Sequence, residues 1–267
     1  GHDIGHTPFG HTGERFLDEL SRSHTGLCFA HNLQSVRVLD EIFPLNLTLQ
    51  TLDGIAAHNG ELEMDEYRPA PLADFAAFDA AINACRRDAE NIKKLVPSTL
   101  EGCVVRIADI IAYLGKDRHD AQKSKTLADT AFEDTGIGTI NAEIVNNLMV
   151  NLIENSFSQP YLRLDGRHFA ALRLAKQDNY RLIYRSDSVQ NPDETIRTMM
   201  AQLYEKLLGD LRTGRTSSPV FTHHIGYLEK PYYAKHRRLP YPETEKNQIV
   251  IDYIARMTDD YFVDLYA

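Results

Sequence analysis

Cysteine is scarce: Cys28, Cys85 and Cys103 are the only three in 267 residues, odd in number and without C-x-x-C spacing. That excludes a disulfide framework, argues against a structural zinc site and suits a reducing cytoplasm. No stretch approaches the roughly 20 unbroken apolar residues that a membrane helix needs. Positive charge is also short, with 29 Lys and Arg against 38 Asp and Glu and a net charge of -9. The balance argues against a broad basic surface for non-specific nucleic-acid binding, leaving local basic segments to act, and any anionic substrate must be met by local groups. There is no internal repeat, no low-complexity tract and no leader-like segment. Gly1 precedes the first motif directly, without an initiator Met, as expected of an N-terminally truncated chain. What remains is an ordinary soluble composition, 43% hydrophobic and 25% charged, in a length that one large domain with sub-regions can use.

Apolar residues recur at helical spacing: Leu33, Val36, Leu39 and Phe43, then Phe75, Phe78, Ile82, Cys85, Ala89 and Ile92. Ile196, Met199, Leu203 and Leu207 continue it, as do Val250, Ile254, Met257, Tyr261 and Leu265. The pattern predicts an all-α fold. Ser98-Thr99-Leu100-Glu101 has capping-box spacing, and Asn191-Pro192-Asp193-Glu194 offers an N-cap followed by Pro and acids, so helices are expected to start there. Breaks fall at 134–139, 213–219 and 229–244, where Gly, Pro, Ser and charge replace the periodic residues. Tyr180–Tyr184 can also be read as a short extended pair, which would add a β-hairpin.

The densest chemistry lies in the first fourteen residues, where His2, Asp3, His6, His11 and Glu14 surround a turn shaped by Gly5, Pro8 and Gly10. Imidazole nitrogen and carboxylate oxygen bind divalent metals at neutral pH, and with no thiolate present an open mixed site is implied. On a helix, His6 would lie one turn after His2, and Pro8 would end that helix and let His11 approach from a second direction. Glu14 follows His11 at i,i+3, a spacing at which a carboxylate raises the imidazole pKa and orients it as a general acid. A second constellation sits on the helix capped near Ser98. Leu100, Val104, Ile107, Ile111 and Leu114 form its expected apolar stripe, and Arg106, Asp109, Tyr113 and Asp117 step along the opposite one. Asp109 stands in an aliphatic run, where an unpaired carboxylate is costly and a metal would offset the cost.

Together, His2-Asp3 with His6, His11 and Glu14, and Ala108-Asp109-Ile110-Ile111-Ala112-Tyr113, resemble the HD-domain deoxynucleoside triphosphate triphosphohydrolases, the dGTPase-like family. Residues 29–37, His58-Asn59-Gly60 and residues 252–259 resemble further segments of that family, in order along the chain. The resemblance implies an all-helical HD fold, with residues 1–128 as catalytic core and 129–267 as a helical region packed on it. It implies one divalent metal, whether Mn, Mg, Fe, Co, Ni or Zn, held by His2, Asp3 and Asp109. A further histidine would come from an upstream helix that this chain lacks, so the fragment alone is expected to be inactive. His11 with Glu14 would protonate the departing 5′ oxygen, and His6 and His31 would line the phosphate path. Tyr113 and Asp117 would read the sugar, favouring deoxy over ribo substrates. The substrate would be a dNTP, dGTP first, and the products a deoxynucleoside and triphosphate. A homo-oligomer in the cytoplasm, without membrane attachment, completes the expectation.

Other readings stay open. The chain could be another HD phosphohydrolase acting on nucleotide phosphoesters, or a catalytically silent scaffold that senses nucleotides or binds single-stranded nucleic acid. Residues 230–238 interleave aromatics with cations in the manner of a solvated loop. The same composition suits a regulatory nucleotide, single-stranded DNA or a subunit boundary. Arg181 and Arg185 are weaker candidates for triphosphate contacts. Cys85 and Cys103 read as small core residues.

Overall fold

The computed structural model describes residues 1–58, 63–123, 132–184, 187–237 and 239–267, leaving out the side chains of 184 and 187–193. Asn59, Gly60, Arg185, Arg238 and the expected division after residue 128 lie outside the described residues. The chain is all-helical. Its helices are α1 (Gly10–Thr25), α2 (His31–Arg37), α3 (Leu49–Ala56), α4 (Phe75–Arg87), α5 (Leu100–Lys123), α6 (Asn141–Ser156) and α7 (Gly166–Asn179). They continue as α8 (Asp187–Thr213), α9 (Gly226–Leu228), α10 (Pro231–Ala234), α11 (Lys246–Ile254) and α12 (Asp259–Tyr266). Among the described residues the only sheet is an antiparallel pair, β1 (Glu66–Tyr67) with β2 (Leu162–Arg163), in which Glu66 faces Arg163. It joins distant segments and is no hairpin. Tyr180–Tyr184, readable as extended, is instead a π-helical continuation of α7. The buried Asn179 amide at that junction donates to Leu114 O and accepts from Arg118 Nε, which fixes the end of α7 to α5. Among the described residues no helix is long and apolar enough to cross a membrane.

Two compact units can be separated, Gly1–Ala56 with Ala73–Lys94 and Asp193–Ala267, and Ala57–Leu72 with Leu95–Pro192. The first is built on Phe16 and Leu17 of α1, Leu203, Tyr204 and Leu207 of α8, Val250 and Ile254 of α11, and Phe262 of α12. The second is built on Cys103, Ile107, Ile110, Ile111 and Leu114 of α5, with Ile144 and Leu148 of α6 and Leu172 of α7. Burying each such side chain is worth about 1.5–3 kcal/mol.

Several expected boundaries and faces shift. Thr99, not Ser98, caps α5, its Oγ1 accepting the Gly102 N–H at 3.1 Å. Leu100 and Val104 are exposed, so the apolar stripe of α5 is rotated onto Cys103, Ile107 and Ile110. Arg106, expected on the polar stripe, is buried and donates to Leu95 O at 2.9 Å. The α4 stripe is shorter than expected at both ends: Phe75 at its start is exposed, and Asp88 takes extended angles before a separate 3₁₀ turn at Ala89–Lys94. α8 begins at Asp187, before the expected Asn191 cap, so Pro192 lies inside the helix and leaves one i→i−4 bond unmade.

In the first unit a carboxylate is buried completely among these apolar side chains. Asp252 of α11 accepts from Arg37 Nε at 2.8 Å and Nη2 at 2.9 Å, Gln34 at 2.9 Å, Gln248 at 2.9 Å and Tyr241 Oη at 2.7 Å. Burial pushes this carboxyl up, but the Arg37 guanidinium and the hydrogen bonds outweigh it and hold the pKa at about 2, against an ordinary 3.8. The folded chain thus keeps Asp252 ionised at a pH where the unfolded chain has already protonated it. Its contribution to stability is complete above pH 4 and disappears as pH falls towards 2. Urea unfolding at stepped pH should show about 2 kcal/mol lost across that window, and Asp252→Asn should lack this increment. An acid limb unchanged in the variant would contradict the assignment.

Candidate active site

The N-terminal motif is a turn, not the helix edge suggested by the His2 and His6 spacing. Ile4 N–H reaches Gly1 O at 3.5 Å and His6 N–H reaches Asp3 O at 3.1 Å. Ser35, fully buried on α2, fixes this turn from both ends: its Oγ donates to His2 O at 2.5 Å and accepts the Gly5 N–H at 2.9 Å. Gly5 is required by that approach, because a Cβ there would lie 2.4 Å from Ser35 N and 2.6 Å from His31 O. The chain then reverses at Phe9, whose φ of 63° is a left-handed conformation costly for an aromatic residue. Two groups compensate. Asp259, at the start of α12, accepts the Phe9 N–H at 2.8 Å, and the Phe9 ring meets Phe262 edge-on at 5.2 Å. The reversal starts α1 with His11 in its first turn, while Gly13 leaves room for Pro8 O, which a Cβ would approach to 1.8 Å.

Glu14 lies between two imidazoles. Its Oε2 is 3.4 Å from His11 Nδ1, and its Oε1 is 2.9 Å from His31 Nδ1 and accepts the His31 backbone N–H at 2.7 Å. Burial pushes the Glu14 carboxyl up, yet the hydrogen bonds from His11 and His31 hold it well below the usual range. Burial pulls His31 down, and Glu14 outweighs that and raises it, favouring the imidazolium. His11 is the accessible member, its side chain 62% exposed against 16% for His31. The His6 ring lies 5.7 Å from His11 and 5.0 Å from His31. Beside them His2 Nε2 is 3.2 Å from Asp3 Oδ2, and Asp3 Oδ1 is 4.0 Å from His31 Nε2. Imidazole and carboxylate lone pairs gathered in this way are the donor chemistry a divalent cation takes, so His2 and Asp3 fit such an ion. The first unit thus gathers six of the nine sequence-picked residues: His2, Asp3, His6, His11, Glu14 and His31.

Asp109, Tyr113 and Asp117 belong to the second unit, half-buried and one helical turn apart along one face of α5. Tyr113 packs partly against the core of that unit. His58 is fully buried. His24 is paired with Glu205 at 3.0 Å and lies against Tyr204. Arg181 is paired with Asp178 at 2.9 Å. In the aromatic and cationic segment, Lys230 lies over Tyr227, Tyr227 and Tyr233 share a hydrogen bond of 2.7 Å, and Arg237 pairs with Glu229 at 2.6 Å.

Sequence reasoning gave Ser35 and Asp259 no role, although both lie in family-like segments. Ser35 carries no sequence signal for its part. Asp259 does, since an Asp in the first turn of a helix advertises an acceptor.

The phosphohydrolase-associated domain matches residues 162–267. The chain is 27% identical to a deoxyguanosinetriphosphate triphosphohydrolase-like protein of Rickettsia bellii, over 99% of this chain and 73% of that one. It is 28% identical to a protein of the same description from Desulfatibacillum aliphaticivorans, over 100% of this chain and 67% of the relative. With the all-helical fold, these likenesses support a relationship to the HD-domain phosphohydrolases. Within that class the likenesses support the dGTPase-like family.

Replacing Asp259 by Ala removes the acceptor that holds Phe9 in its left-handed conformation. Unfolding should become easier by about 1–2 kcal/mol, and amide exchange at Phe9 and Gly13 should quicken while the α11 amides stay protected. Uniform loss of protection across the unit, or none at Phe9, would contradict this role.

Proposed function

We propose that the chain is a metal-dependent dNTP triphosphohydrolase, with dGTP the first substrate to test. The observation that carries this reading is the Glu14 carboxylate set between an accessible and a buried imidazole, beside the His2 and Asp3 donors. The relatives' description as deoxyguanosinetriphosphate triphosphohydrolase-like supports the same substrate class. His2, Asp3 and Asp109 would hold the ion. Asp109 is chosen on the sequence segment it occupies and its half-buried place on α5. A divalent cation there would supply charge to draw electron density from the phosphate and the attacking water.

The rest is the work of the chain's own residues. Water oxygen adds to the α-phosphorus and releases a proton to solvent, the bond from that phosphorus to O5′ breaks, and its electron pair goes to O5′. His11 gives O5′ a proton, so the products are the deoxynucleoside and triphosphate. Glu14 orients His11 and stabilises its charged form before the transfer. His31, anchored to the other Glu14 oxygen, keeps that carboxylate in place and with His6 lines the phosphate path. Tyr113 packs where a 2′-hydroxyl would clash, and Asp117 accepts from the 3′-hydroxyl. The exposed apolar row Val150, Ile153 and Phe157, the last 79% exposed, supports a homo-oligomer.

Product analysis on the full-length protein with Mn²⁺ and each dNTP in turn tests the reading. Triphosphate should be released from dGTP, and His11→Ala should lower kcat by roughly 10²–10⁴-fold with the Mn²⁺ equivalent of the His2, Asp3 and Asp109 site unchanged. Phosphate or pyrophosphate as product, or Mn²⁺ lost in step with activity in His11→Ala, would refute it.

A further inference from the structure

His6, His11 and Glu14 each present a ligand atom within 4.8 Å of the other two. His11 lies in the first turn of α1 and Glu14 just beyond it, and His6 comes from the turn that Ser35 and Asp259 hold in place. The rings of His6 and His11 are inclined at 57°, which brings their nitrogens in from different directions. Glu14 is divided in its duties. Oε1 is fixed by the His31 N–H at 2.7 Å and by His31 Nδ1 at 2.9 Å, while Oε2 faces His11 at 3.4 Å, long for a charge-assisted hydrogen bond. A carboxylate with one oxygen anchored by an outer partner and the other turned towards imidazole is how protein ligands are commonly oriented for a metal. The set is two nitrogens and one oxygen, which leaves a further position to water. Its nitrogen content favours zinc-class ions over Mg²⁺ or Mn²⁺, which prefer oxygen.

We propose that His6, His11 and Glu14 form a second divalent-cation site, distinct from His2, Asp3 and Asp109, that takes Zn²⁺ and thereby switches the enzyme off. An imidazole nitrogen whose lone pair is given to a metal cannot carry a proton, so O5′ loses its acid when the site fills. The inhibitory consequence rests on the proposed hydrolysis. Zinc binding does not.

The test separates the two. Equilibrium dialysis with Zn²⁺ alone, without nucleotide, is run on full-length His2→Ala/Asp109→Ala protein whose circular dichroism and melting show it folded. That protein should retain one zinc equivalent, and adding His6→Ala should raise Kd roughly tenfold or more. His11→Ala, at an exposed position, serves as an independent ligand removal with the same expected loss. Co²⁺ in place of Zn²⁺ should give visible absorption that disappears with either removal. No bound zinc in the folded double variant, or a Kd unmoved by both removals, overturns the site. In wild-type protein supplied with Mn²⁺, Zn²⁺ should reduce triphosphate release from dGTP, and undiminished turnover with zinc bound overturns the switch. Absence of triphosphate release with every metal refutes the proposed hydrolysis alone, since the dialysis result stands without it.

Discussion

The first unit is organised around a charge that it buries completely. Asp252 collects five hydrogen bonds, two from Arg37, and its environment keeps it ionised. Removing one partner of such a pair leaves an uncompensated buried charge, commonly a loss of 3–5 kcal/mol, so α2 and α11 are held in a single arrangement. Both helices bear on the site. α2 carries His31 and Ser35, and the segment after α11 carries Asp259 and Phe262. The left-handed turn at Phe9 persists because those groups are already placed.

The chemistry of the site depends on Glu14 in a similar way. A carboxylate shared by two imidazoles orders them unequally: His31 is close and largely shielded, and His11 is more distant and exposed. The inequality assigns the work. The half-buried ring fixes the carboxylate, and in the proposed reaction the exposed one would meet the substrate. His31 is therefore better described as a positioning residue, a division that i,i+3 spacing between His11 and Glu14 does not reveal.

The fold class and the local clustering of His6, His11 and Glu14 were legible in the sequence, because helical periodicity and a dense run of histidines survive without tertiary information; His31 was reached only through the family resemblance of residues 29–37. Rotations of a helix were not. A one-residue displacement of the α5 cap, from Ser98 to Thr99, accompanies a core face built on Cys103 and Ile110, with Val104 and Leu100 outside. Arg106 went to the interior because its guanidinium finds Leu95 O there, a contact with no mark in the sequence. Asp252 is the instructive case. It interrupts Ile249-Val250-Ile251 and Tyr253-Ile254 much as Asp109 interrupts its own aliphatic run, and the same reasoning about a costly carboxylate would have marked it. There the compensating cation is an arginine, so an acid in an apolar run signals a positive partner without saying whether that partner is a metal.

That distinction is the point on which the functional account turns. Measuring tightly bound Mn²⁺ in folded Asp109→Asn protein, beside wild type at equal concentration, addresses it directly. The account predicts that the tight equivalent disappears while the melting transition stays cooperative. Mn²⁺ retained at wild-type stoichiometry and affinity would mean that Asp109 is answered by some other cation, and that the ion does not depend on it.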